Sequence, residues 1–370
     1  MSALFSPFTL RSLSLPNRIF IEPMCQYSAE QGLANDWHEI HLGGLAMSGA
    51  AMLCIEATAV ESAGRITPGC LGIWDDDREA AIAPILKTIR RFSKIPVSIQ
   101  LAHAGRKGSS DVPWEGGQQI PIAKGGWEVF APSAVPHKEG EAPPRALDAA
   151  GLDRVREAFS AAAKRAARLG LDAIEVHSAH GYLLHEFLSP ISNRRMDEYG
   201  GSLENRLRFP LEIFEAVRAA FPKDKPVGVK VSATDWVDGG WDLEQTIKYA
   251  VELKKRGVDW IDVSSAGISP RQKIATGPGY QVPFAKAVKE ATGVNTIAVG
   301  LITDAQQAED IIASGKADLV GLARRMLYDP RWPWHAAAKF GSEVLAPPQY
   351  WRAPPYEHQD IFGEIINGGR

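Results

Sequence analysis

Apolar residues in this chain cluster in short runs of Ile, Val, Leu and Ala, set between longer stretches with helical spacing. The runs predict strands at Arg18–Pro23, Ala50–Val60, Pro96–His103, Asp172–His177, Pro226–Ser232, Val258–Ser264, Asn295–Gly300 and Ala317–Leu322. The stretches between them predict helices at His38–Ser48, Asp77–Phe92, Asp153–Arg168, Pro210–Ala220, Leu243–Arg256, Val282–Ala291 and Asp304–Ser314. A short helix near Trp332–Lys339 closes the series. Strands that are apolar on both sides belong to a parallel sheet covered on both faces. Repeated β–α alternation of this number predicts a closed (β/α)8 barrel, the TIM barrel. A doubly wound open sheet is the competing arrangement, but it ordinarily stops at fewer strands.

Two segments fall outside the alternation. Ala104–Arg145, after the third strand, is long, rich in Gly and Pro, and without a clear helical pattern; loops of this kind usually carry function. Beyond Ala346 the chain runs through a Pro-rich PPQYWRAPP and a polar tail. The expected organisation is one barrel domain over residues 1–345 and a C-terminal extension over residues 346–370.

Composition narrows the classes. The 370 residues are 45% hydrophobic and 23% charged, which excludes general disorder. A net charge of -3 provides no basic field for nucleic acid or an anionic membrane. No apolar run approaches the roughly eighteen residues of a spanning helix. The N-terminal stretch lacks the pattern of a signal peptide. Three scattered cysteines, Cys25, Cys54 and Cys70, make neither a disulfide framework nor an iron–sulfur motif, and point to the reducing cytoplasm.

Barrel chemistry sits at the C-terminal ends of the strands. Those ends carry Cys25 and Tyr27, then Gln100, then His177, His180 and Tyr182, then Lys230, and finally Gly300 and Arg324. Loops after the seventh and eighth strands commonly bind phosphate, and Gly300 with Arg324 suits that use. His177 and His180 stand at a spacing that could ligate zinc, but no third ligand is evident, and no metal is expected. Two hydrogen-bonded core histidines, or two N–H donors to an anionic oxygen with Tyr182 as acid, are the other readings. Cys25, Cys54 and Cys70 each admit the reading of a buried, inert thiol. Gln100 and Lys230 together suit a polar heterocycle that becomes anionic.

PMCQY (Pro23–Tyr27), QLAHAGR (Gln100–Arg106), EVHSAHGYLLHEFLSPISNRR (Glu175–Arg195), DEYGGSLENRLRF (Asp197–Phe209) and GPGYQVPFA (Gly277–Ala285) resemble the Old Yellow Enzyme family. The short form and Cys25 resemble its bacterial, thermophilic-like branch of ene-reductases, also called NADPH dehydrogenases. The resemblance implies a (β/α)8 barrel with non-covalent FMN at its mouth and NADPH or NADH as electron donor. Pro23, Met24 and Cys25 would line the flavin ring, and Ala57 and Gln100 would meet its polar edge. Lys230, where the family mostly has arginine, would stand near N1 and O2. Gly300, Ala323 and Arg324 would hold the phosphate, with Ala323 where glycine is expected. His177 and His180 would bind the carbonyl or nitro oxygen of an unsaturated substrate, Tyr182 would donate the proton, and Tyr27 would orient the substrate. Arg352 resembles an arginine that this branch sends into a neighbouring subunit's site, which implies a homo-oligomer, a dimer or tetramer. A metal-dependent or Schiff-base barrel enzyme using His177, His180 or Lys230, and a flavin-binding barrel without turnover, are the competing functions.

Overall fold

The computed structural model describes residues 2–363. Eight strands close a parallel barrel in chain order. They are β1 (Ile19–Ile21), β2 (Met52–Ala59), β3 (Val97–Ala102), β4 (Ala173–Ser178), β5 (Val227–Ser232), β6 (Trp260–Ser264), β7 (Asn295–Ala298) and β8 (Leu319–Leu322). β8 pairs with β1 to complete the circle. The barrel helices between them are α1 (Asp36–Ala46), α2 (Asp76–Phe92), α3 (Ala149–Arg168), α4 (Leu183–Leu188), α5 (Leu203–Ala220), α6 (Leu243–Lys255), α7 (Val282–Thr292) and α8 (Ala305–Ala313). α9 (Arg324–Tyr328) and α10 (Trp332–Phe340) follow the last strand.

Two apolar cores result. The larger lies between strands and helices, where outward strand residues such as Ile21, Ile99 and Val229 meet the helix faces. The smaller fills the lower barrel interior with Phe20, Met52, Ala173, Trp260, Ile297 and Leu319. Leu10 and Leu15 join it from an antiparallel hairpin, Phe8–Leu10 with Leu13–Leu15, that plugs the N-terminal mouth. Three-residue strands carry too little periodicity to be seen in the sequence, and the hairpin was not expected.

Other differences are local. α3 starts at Ala149 because the Asp148 side chain caps it, accepting from the Gly151 N–H at 2.8 Å. α5 starts at Leu203, capped by Ser202, and carries Pro210 inside it rather than at its start. α4 was not expected; its six residues are all buried beneath the rim. The excursion after β3 contains only 3₁₀ turns and a two-residue bridge between Phe130–Ala131 and Arg145–Ala146, with no α-helix.

Candidate active site

Strand register places the rim side chains. In a parallel pair, residues in register point to the same side of the sheet. His177 is opposite Lys230, and Lys230 is opposite Asp262, so all three face the barrel interior at one level. One level below, Ala57, Gln100 and Glu175 are in register. A bulge between Ile55 and Ala57 turns Glu56 out of this series. Its carboxylate accepts from the Gln26 N–H at 2.9 Å and thereby holds the Cys25–Tyr27 loop over the mouth.

The histidines are oriented by neighbours that define their tautomers. His177 Nδ1 accepts from the Ala179 N–H at 3.2 Å, which leaves its proton on Nε2. His180 sits at φ +58 and donates its backbone N–H to Ser232 Oγ at 2.9 Å. Its Nε2 lies 2.7 Å from Ser264 Oγ, which is 3.4 Å from Gln281 Oε1; Ser265 Oγ already donates to that oxygen at 2.6 Å. With Ser264 donating to His180 Nε2, the His180 proton sits on Nδ1. Burial, followed for His177 by His180 and for His180 by Lys230, holds both well below the usual imidazole range. Both are therefore neutral N–H donors at neutral pH. Their rings meet edge to face at 5.2 Å, and Tyr182 meets His177 the same way at 5.0 Å.

Burial pushes the Tyr182 hydroxyl well above the ordinary tyrosine range, with Cys25 and Tyr27 adding to it. Tyr182 thus keeps its proton at any physiological pH. Tyr27, at φ +53, is pushed up as well, first by burial, and packs on Trp114 at 5.7 Å. Tyr27 and Tyr182 face each other across a cavity of about 180 Å³ that Arg106, Lys107 and His137 also line. Cys25 is half-buried, and burial raises its thiol well above the usual range. It is a thiol rather than a thiolate, which disfavours a nucleophilic role.

Lys230 and Gln100 are more engaged than the sequence suggests. Lys230 Nζ pairs with Glu22 Oε2 and lies 2.6 Å from Asp262 Oδ2. Burial alone would lower it, but Asp262, Glu22 and Glu175 outweigh this and hold it well above the ordinary lysine range. A lysine held charged in this way is a poor Schiff-base nucleophile. Gln100 Nε2 donates to Glu175 Oε1 at 2.8 Å, so one amide hydrogen and Oε1 are left for anything bound above. Pro23, Met24 and Ala57 complete the same side of the mouth, the first two half-buried and Ala57 buried.

At the far side, Gly300 follows β7 with φ +111, where a Cβ would stand 2.9 Å from Gln281 Nε2. Ala323 precedes α9. Arg325 is paired with Asp329 at 3.4 Å, whereas Arg324 is exposed. Arg352 is not brought to this rim. It is exposed and follows Trp351, which lines a hollow with Pro16, Gly49, Ala50 and Pro96, residues that precede their strands at the barrel's opposite end. Residues 364–370 of the extension lie outside the described residues.

Several residues of the site were not singled out in the sequence. Lys107 Nζ donates to the carbonyls of His180, at 2.8 Å, and Gly267, at 3.2 Å, and clamps the histidine turn. Burial lowers it to about 8. Arg106 donates to Ile268 O at 2.7 Å and Val135 O at 3.1 Å, sewing the excursion to the loop after β6. Glu22 and Asp262 complete the floor. A charged residue ending the apolar run of β1 was the available signal for Glu22. Among the described residues no group of three or more His, Cys, Asp or Glu is arranged to hold a metal ion, and no helix is long and apolar enough to cross a membrane.

Residues 3–342 match the NADH:flavin oxidoreductase / NADH oxidase family. The chain is 43% identical over 353 residues to an NADPH dehydrogenase of Geobacillus thermodenitrificans, covering 95% of this chain and 98% of that one. It is 44% identical over 360 residues to an NADH:flavin oxidoreductase of Gibberella zeae, covering 92% and 86%. Among solved structures, morphinone reductase superposes with a TM-score of 0.77 at 27% identity, covering 100% of this chain and 98% of that one. The cofactor is therefore FMN and the electron donor a reduced nicotinamide. This chain, a flavin-dependent NAD(P)H oxidoreductase on a (β/α)8 barrel, belongs to the NADH:flavin oxidoreductase / NADH oxidase family, in the bacterial branch of the Old Yellow Enzymes.

Proposed function

We propose that the protein is an ene-reductase acting on α,β-unsaturated carbonyl or nitro compounds. The observation that carries this is the convergence of two neutral imidazole N–H donors, His177 and His180, with a protonated Tyr182 on one rim. The mouth fits FMN by its donor set. Buried Gln100 and Lys230 form a polar floor, Glu22 Oε1 is buried without a partner, and Gly300 opens the backbone on the phosphate side. In this reading Pro23, Met24, Cys25, Ala57, Gln100 and Lys230 hold the ring, and Gly300, Ala323 and Arg324 hold the phosphate. FMN held by these residues would supply hydride transfer from NAD(P)H to the substrate's β-carbon.

The protein's own groups do the rest. His177 Nε2–H and His180 Nδ1–H bind the substrate oxygen and stabilise the charge that grows on it; in comparable oxyanion sites each donor is worth about 3 kcal/mol. Tyr182 gives its proton to the α-carbon. Desolvation that raises its pKa makes the free tyrosinate unfavourable, so the transfer is matched to a strongly basic carbanion-like carbon. Tyr27 orients the substrate from the facing wall. The protein acts in the cytoplasm as a homo-oligomer, with residues 1–345 as the barrel and residues 346–370 as an extension that brings Arg352 to a neighbour.

The test is spectroscopic. The purified protein should be yellow, bleach under anaerobic NADPH, and regain its colour with cyclohexenone; acid should release FMN. Bleaching without recovery on any activated alkene would refute ene-reduction while leaving the family assignment intact.

A further inference from the structure

Four ionisable side chains meet inside the barrel mouth: Glu22, Glu175, Lys230 and Asp262, exposed by 3%, 0%, 5% and 0%. Three are acids and one is a base. Lys230 bridges Glu22 and Asp262. Glu175 is held by Gln100 Nε2 and by Trp260 Nε1 at 3.2 Å. Glu22 Oε1 is buried without a hydrogen-bond partner. The surrounding strands bring no second cation. β2 contributes the Cys54 thiol, β3 the uncharged Gln100, and β4 the neutral His177; β7 and β8 carry no titratable side chain.

Fully ionised, this group would set three negative charges against one positive charge in a site closed to water. Uncompensated buried charge is costly, and a cluster of this kind relieves the cost by retaining protons. Burial first, then Asp262, pushes Glu22 well above the carboxylate range, and the same causes raise Glu175 to about 7. A new negative charge placed above Lys230 would raise both further, because like charges favour the protonated acid.

We propose that Glu22, acting through Lys230, takes up a proton when the flavin above it is reduced, so that this cluster couples the flavin's potential to pH. The inference rests on the proposed placement of FMN over Lys230. Hydride from NAD(P)H carries two electrons and one proton, NAD(P)⁺ leaves, and the ring is left with one negative charge. At a pH high enough for Glu22 to be ionised while the ring is oxidised, its carboxylate then takes a proton from solution. Lys230 is freed from that carboxylate and its charge turns to the ring. Glu22 is thus a positioning residue for the charge of Lys230.

The experiment counts protons. FMN-loaded protein in weak buffer with an indicator dye is reduced anaerobically by NADPH, with free FMN as the control, at mildly alkaline pH. Wild type should take up a proton per flavin in excess of the control, while the reduced flavin keeps the spectrum of its anionic form. Glu22→Gln should lose most of this uptake, raise the flavin potential, and flatten its dependence on pH. No excess uptake in wild type, or uptake and potential unchanged in Glu22→Gln, overturns the inference. Glu175→Gln should keep the excess uptake; its loss there would give the proton to Glu175 and overturn the inference, and this arm stands should Glu22→Gln fail to fold. Lys230→Met separates the underlying placement: unchanged FMN affinity together with unchanged potential would remove the ring from Lys230, whereas altered values with a silent Glu22→Gln would refute the proton coupling alone.

Discussion

In the proposed reaction Tyr182 and the two histidines divide the work between them, and their environments make the division testable. Tyr182→Phe removes an acid and leaves the oxygen donors in place. Re-oxidation of the flavin by an enone should slow by about 10²–10⁴, while reduction by NADPH stays nearly unchanged. His177→Ala or His180→Ala should slow the same half-reaction and also weaken the binding of phenols, whose oxygen imitates the enolate. Stopped-flow traces of the two halves, with phenol titrations, check both; slowed flavin reduction in Tyr182→Phe would show that its role is not the proton. Residue types alone placed these groups on one rim. The proton of His177 is set locally by the Ala179 N–H, whereas His180 is oriented by Ser264 and, through it, Gln281, both distant along the chain.

Elements hold these residues in place through close fits rather than through propensity. Gly228 on β5 is an instance: a Cβ there would stand 1.9 Å from the Trp260 ring, which fills the barrel interior from β6. Gly228→Ala should therefore destabilise the fold by about 1–3 kcal/mol, read as a lowered midpoint in denaturant with an unchanged slope. The loop after β2 supplies a pH-dependent tie. Burial alone would raise Glu61, but His103, at 2.9 Å, and Arg154, at 3.0 Å, outweigh it and hold Glu61 at about 2. Its unfolded value is about 4.3. The contribution of Glu61 to stability is then fully present above that value and is lost as pH falls from there through about 2. Acid titrations of unfolding should show wild type more stable than Glu61→Gln at neutral pH, with the gap closing over that interval.

For the whole molecule, the proposed homo-oligomer turns on Arg352. In one chain it stands at the barrel end opposite the rim, beside an apolar hollow of about 630 Å³ partly walled by Leu345–Pro348 and Trp351. Only a second chain can bring it to His177 and His180. Arg352→Ala should raise the KM for an enone and weaken phenol binding without changing FMN affinity, and dilution that dissociates the oligomer should have the same effect. Unchanged KM in both experiments would exclude Arg352 from the site.

The alternation of apolar runs and amphipathic stretches favoured the barrel over an open sheet, because strands buried on both faces leave a pattern in the composition itself. The motifs around Cys25, Gln100 and His177, with Lys230 on the fifth strand, pointed to the candidate site, because barrel topology delivers every strand end to one rim. The N-terminal hairpin and α4 were invisible, being too short to carry a period. The start of α5 at Leu203 rather than Pro210 reflects the Ser202 cap. What the tertiary structure alone decided is the electrostatic state of the floor. Lys230 read from sequence is a cation suited to an anionic ring, yet the folded barrel sets it between Glu22 and Asp262, residues more than two hundred and about thirty positions away along the chain. Charge balance inside a barrel depends on which strands become neighbours and how much water they exclude, and neither is a property of any one segment.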